Sequence, residues 1–170
     1  MTRPETTTFL SNLLEDSLRA VGTQYATEVV IDWGTKDIKR IDFVAFKPKN
    51  SMSIAGIEKG EVTCYEVKSC VADLRSGCGL NFIGDKNYLI TTMETYKAAQ
   101  RTHISKLPPG TGIRVATPTG ADIYAEFSTP TALPEDGEIR RWDLRTVIPA
   151  HTAHRKKSLL EILYCMLRRR

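Results

Sequence analysis

The sequence predicts an α/β protein whose central sheet is mixed, has about five strands and is flanked by helices. Stretches rich in strand-forming residues alternate along the chain with stretches of helical period. The 170 residues are enough for one domain with a substantial hydrophobic core. The composition, 41% hydrophobic and 26% charged, is that of an ordinary globular protein.

The N-terminal part predicts one helix followed by a hairpin. Apolar residues recur with a helical period from Glu5 to Val21, and Gly22 follows at the place where glycine often ends a helix. Two strand-like stretches come next, Tyr25 to Asp32 and Arg40 to Phe46, separated by a turn around Thr35. We expect these strands to pair in an antiparallel manner.

The stretch from Val62 to Ser69 predicts the central strand of the sheet. Because side chains alternate along a strand, Glu66 and Lys68 lie on the same face. Charged side chains are rarely buried unless they are paired or bind a metal. The simplest alternative is an exposed ion pair on an edge strand.

A second acid, Asp42, interrupts the apolar strand from Arg40 to Phe46. Aspartate is depleted in strand interiors, so its presence needs an explanation. If the chain turns and returns, this strand is the antiparallel neighbour of the central one, and Asp42 lies near Glu66. Mg²⁺ is usually held by one or two carboxylates, with water and substrate phosphate completing its shell. The two acids with Lys68 beside them therefore predict a site for Mg²⁺ (or Mn²⁺).

Two further acids are candidates for a third carboxylate. A hairpin that turns near Thr35 places Glu28 opposite Asp42, with both side chains on one face. Two like charges there repel unless a metal or a basic side chain such as Arg40 lies between them. Glu15, on or beside the polar face of the first helix, is the weaker candidate, because a plain surface acid is the favoured explanation for it.

The order of these residues resembles the PD-(D/E)xK nuclease superfamily. Asp42 followed by Glu66-Val67-Lys68 matches its signature. Further along, Asp73-Leu74-Arg75-Ser76 and Gly84-Asp85-Lys86-Asn87-Tyr88-Leu89-Ile90 are similar to the MmcB-like branch, small bacterial and phage proteins associated with DNA repair. The proline-rich stretch from Leu107 to Ile113 is similar to the entry to the last core strand of that branch.

The resemblance covers about residues 25 to 125. It implies a restriction-endonuclease-like core and a metal-dependent DNA endonuclease of DNA repair, recombination or phage DNA metabolism. The implied metal ligands are Asp42, Glu66 and the Val67 carbonyl. The implied catalytic residues are Asp42, Glu66 and Lys68, with Glu28 as an additional carboxylate.

Two departures from the branch leave other functions open. Leu74 stands where the branch usually has an aromatic residue, and the segment 77–82 differs from its helix containing lysine and tryptophan. A non-catalytic nucleic-acid-binding protein on a nuclease-like scaffold is therefore the alternative, since a fold does not guarantee a chemistry. A purely structural phage protein, which would bind neither metal nor DNA, is a third possibility.

The later part of the chain predicts the remaining elements. The start of a helix at Val71–Arg75 runs into a glycine-containing loop at Gly77 and Gly79. The expected order after it is a strand at Lys86–Thr92, a helix at Met93–Ser105, a strand at Gly112–Ala116 and its partner strand at Asp122–Phe127.

We expect a nuclease-like domain over residues 1–127 and a proline-containing linker with a basic C-terminal helix over residues 128–170. Within the second part, Trp142 to Ile148 is extended, and Lys157 to Arg168 is a helix that is apolar around much of its girth. Such a helix either packs on the core or meets a partner, so a homodimer through it is a further expectation.

Basic residues outside the carboxylate cluster are candidates for DNA binding. The net charge is +4 and the pI is near 8.9. Residues 155–170 carry six cations against one acid, which suits a polyphosphate partner. An ordinary solvated helix end explains the cations equally well. The predicted DNA-binding residues are Arg75, Lys86, Arg168, Arg169 and Arg170.

The remaining signals exclude several classes. The four cysteines form no Cys-x-x-Cys pair and lie far from the histidines, so free thiols are expected rather than zinc. Neither a P-loop nor a Gly-x-Ser-x-Gly elbow is present. With no long apolar run and no visible signal peptide, we expect a cytoplasmic protein that does not bind membranes.

Overall fold

In residues 1–50 and 53–168, which the computed structural model describes, six strands form one mixed sheet. The strands are β1 (Gln24–Ile31), β2 (Lys39–Lys47), β3 (Glu61–Val67), β4 (Lys86–Thr92), β5 (Gly112–Pro118) and β6 (Trp142–Ile148). The helices are α1 (Arg3–Ala20), α2 (Ile54–Glu58), α3 (Val71–Ser76), α4 (Met93–Ala99), α5 (Ile123–Ser128) and α6 (Leu159–Leu167), with a 3₁₀ turn at Ile104–Lys106.

The strands lie in the sheet in their chain order. The pairs β1–β2, β2–β3 and β5–β6 are antiparallel, whereas β3–β4 and β4–β5 are parallel. The predicted α/β architecture with a mixed sheet is therefore confirmed, with one more strand than expected. Because β3 has a partner on each side, the alternative of Glu66 and Lys68 as an exposed ion pair on an edge strand is wrong.

Helix α1 covers one face of the sheet, as its apolar period predicts. Its first turn is closed by Glu5, whose carboxylate accepts the Thr2 N–H at 2.6 Å. Its apolar side is buried, and Phe9 meets the edge of the Trp142 ring at 5.6 Å between ring centroids. Gly22 follows the helix with a φ of +63°, a conformation that favours glycine.

The opposite face is covered in two parts. Helix α6 packs on β1 and β2 through Ile162, which is fully buried. Helices α3 and α4 pack on β4 and β5 through Leu74 and Met93. The segment 77–83 passes from the second part to the first, since Leu80 packs with α3 and α4 and Ile83 with the cluster under α6. We call this segment the covering loop.

The prediction of a strand at Asp122–Phe127 is wrong. Asp122 is instead the N-cap of α5, and its carboxylate accepts the N–H groups of Tyr124 and Ala125 at 3.0 and 2.8 Å. The partner of β5 is β6, the stretch that the sequence predicted only as extended. The predicted helix at Met93–Ser105 is also shorter, because α4 ends at Ala99 and a separate 3₁₀ turn follows.

Residues 128–170, predicted as a linker with a basic helix, thus add an edge strand to the same sheet. Residues 149–157, which we call the strap, carry the chain from β6 to α6. Backbone N–H groups of the strap bind residues that precede β4 and β5: His151 donates to the Gly110 carbonyl, and Ala153 to the Asp85 carbonyl. Arg155 donates to the Asp85 carboxylate at 3.0 Å, so the strap is fastened by side chains as well.

Helices in the described residues are all too short or too polar to cross a membrane.

Candidate functional site

The candidate site begins with an irregularity in β2. Phe43 and Ala45 pack beneath α1, while Val44 packs beneath α6, which is the alternation of a regular strand. Ile41 breaks the alternation, because it packs beneath α6 although it lies two residues before Phe43. The alternation of β2 side chains between the two faces of the sheet is therefore interrupted at Asp42. Irregularities of this kind re-aim a side chain and are common beside active sites.

The neighbouring strand is irregular at the same level. The flanking pairs of the ladder place Glu28 opposite Asp42, as predicted, but the two residues are not themselves paired. Glu28 has a φ of +52°, which is uncommon for a residue with a side chain and strains the backbone. Its carboxylate lies 2.8 Å from Arg40 Nε, and its side chain is 58% exposed. A basic side chain thus compensates the charge of Glu28.

Asp42 and Glu66 meet where β2 and β3 lie side by side. Asp42 Oδ2 accepts the N–H of Val67, the residue after Glu66, at 2.8 Å. Glu66 is fully buried, and its Oε1 accepts the Asn81 N–H at 3.0 Å. Its Oε2 receives no hydrogen bond from a protein donor among the described residues, and the carboxyl lies beside Asp42, with which it can share a proton. A buried acceptor without a partner is costly and calls for an explanation.

The surroundings keep Glu66 protonated at neutral pH. Burial is the largest cause, and the Asp42 carboxylate is the second; together they raise the pKa of Glu66 from 4.5 to about 9. The Asn81 N–H and Lys68 act in the opposite direction and are too weak to cancel them. Two carboxyl groups that lie close together away from water repel each other when both are ionised, so they need either a proton or a cation between them.

Lys68 completes the cluster from the other side. Its Nζ donates to the Cys78 carbonyl at 2.7 Å. Both Lys68 Nζ and Glu66 Oε2 lie against Gly79, where an added Cβ would be 3.2 and 3.7 Å from them. Gly79 also has a φ of +67°. Glycine therefore allows the covering loop to lie directly over the charged groups.

The covering loop is fastened across β2 and β3. The Asn81 side chain donates to the Arg40 carbonyl at 2.8 Å, while its backbone N–H binds Glu66. Phe82 and Ile83 are buried and anchor the end of the loop. The sequence predicted a glycine-containing loop here but not its position over Glu66. The pair Gly77 and Gly79 was the available signal, since glycine marks a close approach of backbone to other groups.

The donor set fits a hard divalent cation. Glu66 Oε2 is an unpartnered oxygen beside a second carboxylate, and both are the ligands that Mg²⁺ prefers. No group of three or more His, Cys, Asp or Glu side chains in residues 1–50 and 53–168 could hold a metal. The side chains would therefore supply two ligands, Asp42 and Glu66, and the Val67 carbonyl is the predicted third.

Other predicted residues are not brought to this cluster. Lys86 pairs with Glu61 at 2.9 Å and lies opposite Thr63, at the far end of β3 and on the face covered by α1. Which face Lys86 occupies depends on the register between β3 and β4, which the sequence did not predict. Arg75 is exposed at the end of α3, beyond Leu74.

Of the remaining candidates, Glu15 and Arg168 lie near the free edge of β1. Arg168 stacks on the Trp33 ring with its guanidinium carbon 4.9 Å from the ring centroid. Arg169 and Arg170 lie outside the described residues. Glu15 binds Arg19 at 2.7 Å, as a surface acid would.

Comparisons with known proteins bear on the fold. No protein-family model matches the chain. No curated protein matches it either. A solved structure, the SPO1766 protein of unknown function from Silicibacter pomeroyi, is similar with a TM-score of 0.56 and 18% identity, over 95% of this chain and 84% of that one. At this identity the likeness concerns the α/β fold alone.

Proposed function

We propose that the protein is a metal-dependent DNA endonuclease with a PD-(D/E)xK, MmcB-like core, acting in DNA repair, recombination or phage DNA metabolism. The observation that carries the proposal is the meeting of Asp42, Glu66 and Lys68 from separate parts of the chain around an unpartnered, buried carboxyl oxygen. The four cysteines are free, which is compatible with action in the cytoplasm.

Each residue of the cluster has a role in the proposed hydrolysis. Asp42, Glu66 and the Val67 carbonyl would hold Mg²⁺ or Mn²⁺. When bound, such a cation polarises a phosphodiester oxygen and lowers the pKa of a bound water. A nearby cation also favours the ionised form of Glu66, which burial opposes.

Lys68 and Glu28 would act at the edge of the same cluster. Lys68 offers a positive charge to the oxygens on which negative charge develops, in place of its present partner, the Cys78 carbonyl. Glu28, held by Arg40 across from Asp42, is an additional carboxylate that could orient water once Arg40 contacts phosphate.

Loss of cleavage on substitution tests the proposal. Single-stranded, nicked and duplex plasmid DNA are incubated with the purified protein and Mg²⁺ or Mn²⁺. Asp42→Asn and Lys68→Ala should each slow cleavage by at least about 100-fold, since each removes a charge needed in the transition state. Lys106→Ala is the control, because it removes an exposed lysine in the 3₁₀ turn after α4, a residue with no place in the cluster or among the proposed DNA contacts. The proposal fails if the wild type cuts none of these DNAs, or if the Asp42 and Lys68 variants cut as fast as wild type.

A non-catalytic nucleic-acid-binding protein is the second candidate. The observation that favours it is the covering loop, which shields Glu66 and occupies Lys68. Binding of a cation to the folded state raises its stability by mass action. An increase of the melting temperature with Mn²⁺ that Glu66→Gln abolishes supports the nuclease, whereas no increase in the wild type favours the binding protein.

DNA is the proposed partner, contacted by Arg75, Lys86 and the arginines of the C-terminal tail. A homodimer through the C-terminal helix would use the outer side of α6, where Leu160, Tyr164 and Leu167 are exposed at helical spacing.

A further inference from the structure

We propose that the cleft along the free edge of β1 binds single-stranded nucleic acid and leads it to the carboxylate cluster. The cleft has a volume of about 730 Å³ and is lined by α1, by β1 and β2 with the turn between them, and by the end of α6. The proposal deepens the proposed function and rests on it for the role of the bound strand as substrate. It is carried by the charge, the exposed aromatic ring and the position of the cleft.

Arginines from three different elements line the cleft: Arg19 of α1, Arg40 of β2 and Arg168 after α6. Glu15 and Glu28 line it as well, but each is already paired, with Arg19 at 2.7 Å and with Arg40 at 2.8 Å. A guanidinium has five N–H donors, so an arginine bound to a carboxylate through one side keeps donors for a phosphate oxygen. Exposed ion pairs add little stability, so phosphate can also replace the carboxylate at small cost.

Two aromatic residues line the cleft, Tyr25 of β1 and Trp33 in the turn between β1 and β2, and Trp33 is the exposed one. Its side chain is 50% exposed although tryptophan is among the most hydrophobic residues. The Arg168 guanidinium already stacks on the ring. Proteins that bind single-stranded nucleic acid combine a basic groove with exposed aromatic side chains. The arginines bind the phosphates, and a base stacks on the ring. A base would share the ring with Arg168 or displace it.

Stacking on a side chain requires an unpaired base, because the faces of duplex bases are covered by their neighbours. An exposed ring at Trp33 therefore favours a single strand over a duplex. Arg40 connects the cleft to the proposed metal ligands: it lines the cleft, it lies two residues before Asp42 in β2, and its carbonyl is bound by Asn81 of the covering loop. On this proposal, a strand whose base rests on Trp33 would approach Asp42 by way of Arg40.

Binding is tested in EDTA, where cleavage does not occur, with a labelled oligothymidylate followed by fluorescence anisotropy. Trp33→Ala should weaken binding roughly 5- to 150-fold, the value of one base stack. Tyr124→Ala is the matched control, since Tyr124 is an 81% exposed aromatic residue on α5, outside the cleft. The intrinsic fluorescence of wild-type protein should be quenched on binding, and the signal reports Trp33, because Trp142 is buried against Phe9.

Charge variants test the arginines independently of the ring. Arg19→Ala should lower the slope of log affinity against log salt by about 0.7, the value for one phosphate contact on a single strand. Arg140→Ala removes a highly exposed arginine outside the cleft and should leave that slope unchanged. Glu15→Gln should tighten binding, because it frees Arg19 from its acid.

The outcomes separate this proposal from the proposed function. If Trp33→Ala binds the oligonucleotide like wild type, if duplex DNA binds equally well, or if no binding occurs, the cleft proposal is overturned whether or not the protein cuts DNA. Binding that depends on Trp33 in a protein that cuts no DNA supports the cleft and overturns the nuclease. Circular dichroism of each variant confirms that it is folded.

Discussion

Among single residues, Glu66 combines burial, a neighbouring acid and an oxygen without a partner. Its folded-state pKa is raised, so the folded protein holds a proton that the unfolded chain releases at lower pH. The groups that face it are Asp42, Lys68 and the Asn81 N–H. A group with a raised pKa makes its full contribution to stability below its unfolded value and loses it as the pH rises through the folded value.

Glu66→Gln should remove this pH dependence. Between pH values of about 4.5 and about 9, without divalent cations, the free energy of unfolding of the wild type should fall relative to that of the variant. The slope is at most about 1.4 kcal/mol per pH unit for one proton. Urea denaturation across this range measures it, and Glu61→Gln, a change in the same strand on the other face, should behave like wild type. Parallel curves for Glu66→Gln and wild type would contradict the prediction.

The meeting of Asp42, Glu66 and Lys68 could be predicted at this scale. Alternation along β3 and the expected return of the chain were enough to place them together. Contacts that depend on an irregular backbone could not be predicted, such as the interrupted alternation at Asp42 and the left-handed conformation of Glu28. The pairing of Lys86 with Glu61 depends on strand register, which a single sequence determines poorly.

Among the elements, the covering loop links the fold to the candidate site. It leaves α3 through Gly77 and passes over Glu66 at Gly79, both with positive φ. The two glycines differ in their surroundings: an added Cβ at Gly77 would meet nothing within 4 Å, whereas at Gly79 it would meet Lys68 Nζ at 3.2 Å. A substitution at Gly77 is therefore the control for the same substitution at Gly79 of the covering loop.

Gly77→Ala and Gly79→Ala should both lower the free energy of unfolding by about 1–2 kcal/mol, the cost of a left-handed backbone with a side chain. Gly79→Ala should lower it further, by up to about 1 kcal/mol, because its methyl group presses on Lys68 Nζ and weakens the hydrogen bond of Nζ to the Cys78 carbonyl. Chemical denaturation of the two variants measures the difference. Equal losses of unfolding free energy in the two variants would mean that the covering loop does not contact Lys68 at Gly79.

Elements near the C-terminal end show why part of the fold escaped prediction. The hydrophobic pattern at α5 extends over only a few residues and is too short to distinguish a strand from a helix. The Asp122 side chain caps the first turn and thereby stabilises the helix. The stretch at β6 was predicted as extended, but its place in the sheet depends on pairing with β5 across α5 and a proline-containing segment. Such long-range pairing leaves no local signal.

On the scale of the whole molecule, the strap and α6 close the face that the other helices leave open. The strap crosses the ends of β4 and β5, and Arg155 fixes it to Asp85 and to the Gly60 carbonyl. Helix α6 then covers β1 and β2, so the last part of the described chain stabilises the first hairpin.

Ile162→Ala should therefore destabilise the protein by about 2–5 kcal/mol, since it leaves a cavity between α6 and the sheet. Ile54→Ala is the matched control: Ile54 of α2 is 80% exposed and lies outside the proposed dimer surface, so the same substitution there should change the free energy of unfolding by less than about 0.5 kcal/mol. Urea denaturation followed by circular dichroism compares them. Similar losses for both variants would show that α6 does not pack as described.

The strand order also bears on how the protein is made. Because every strand pairs with the one synthesised just before it, the sheet can grow at a single edge while the chain leaves the ribosome. The cover of β1 and β2 is delayed, since α6 is translated after β6. Until then Val29, Ile31 and Ile41 face water, and the nascent chain presents an apolar surface that chaperones bind. The speed of translation between β2 and α6 sets how long that surface stays open.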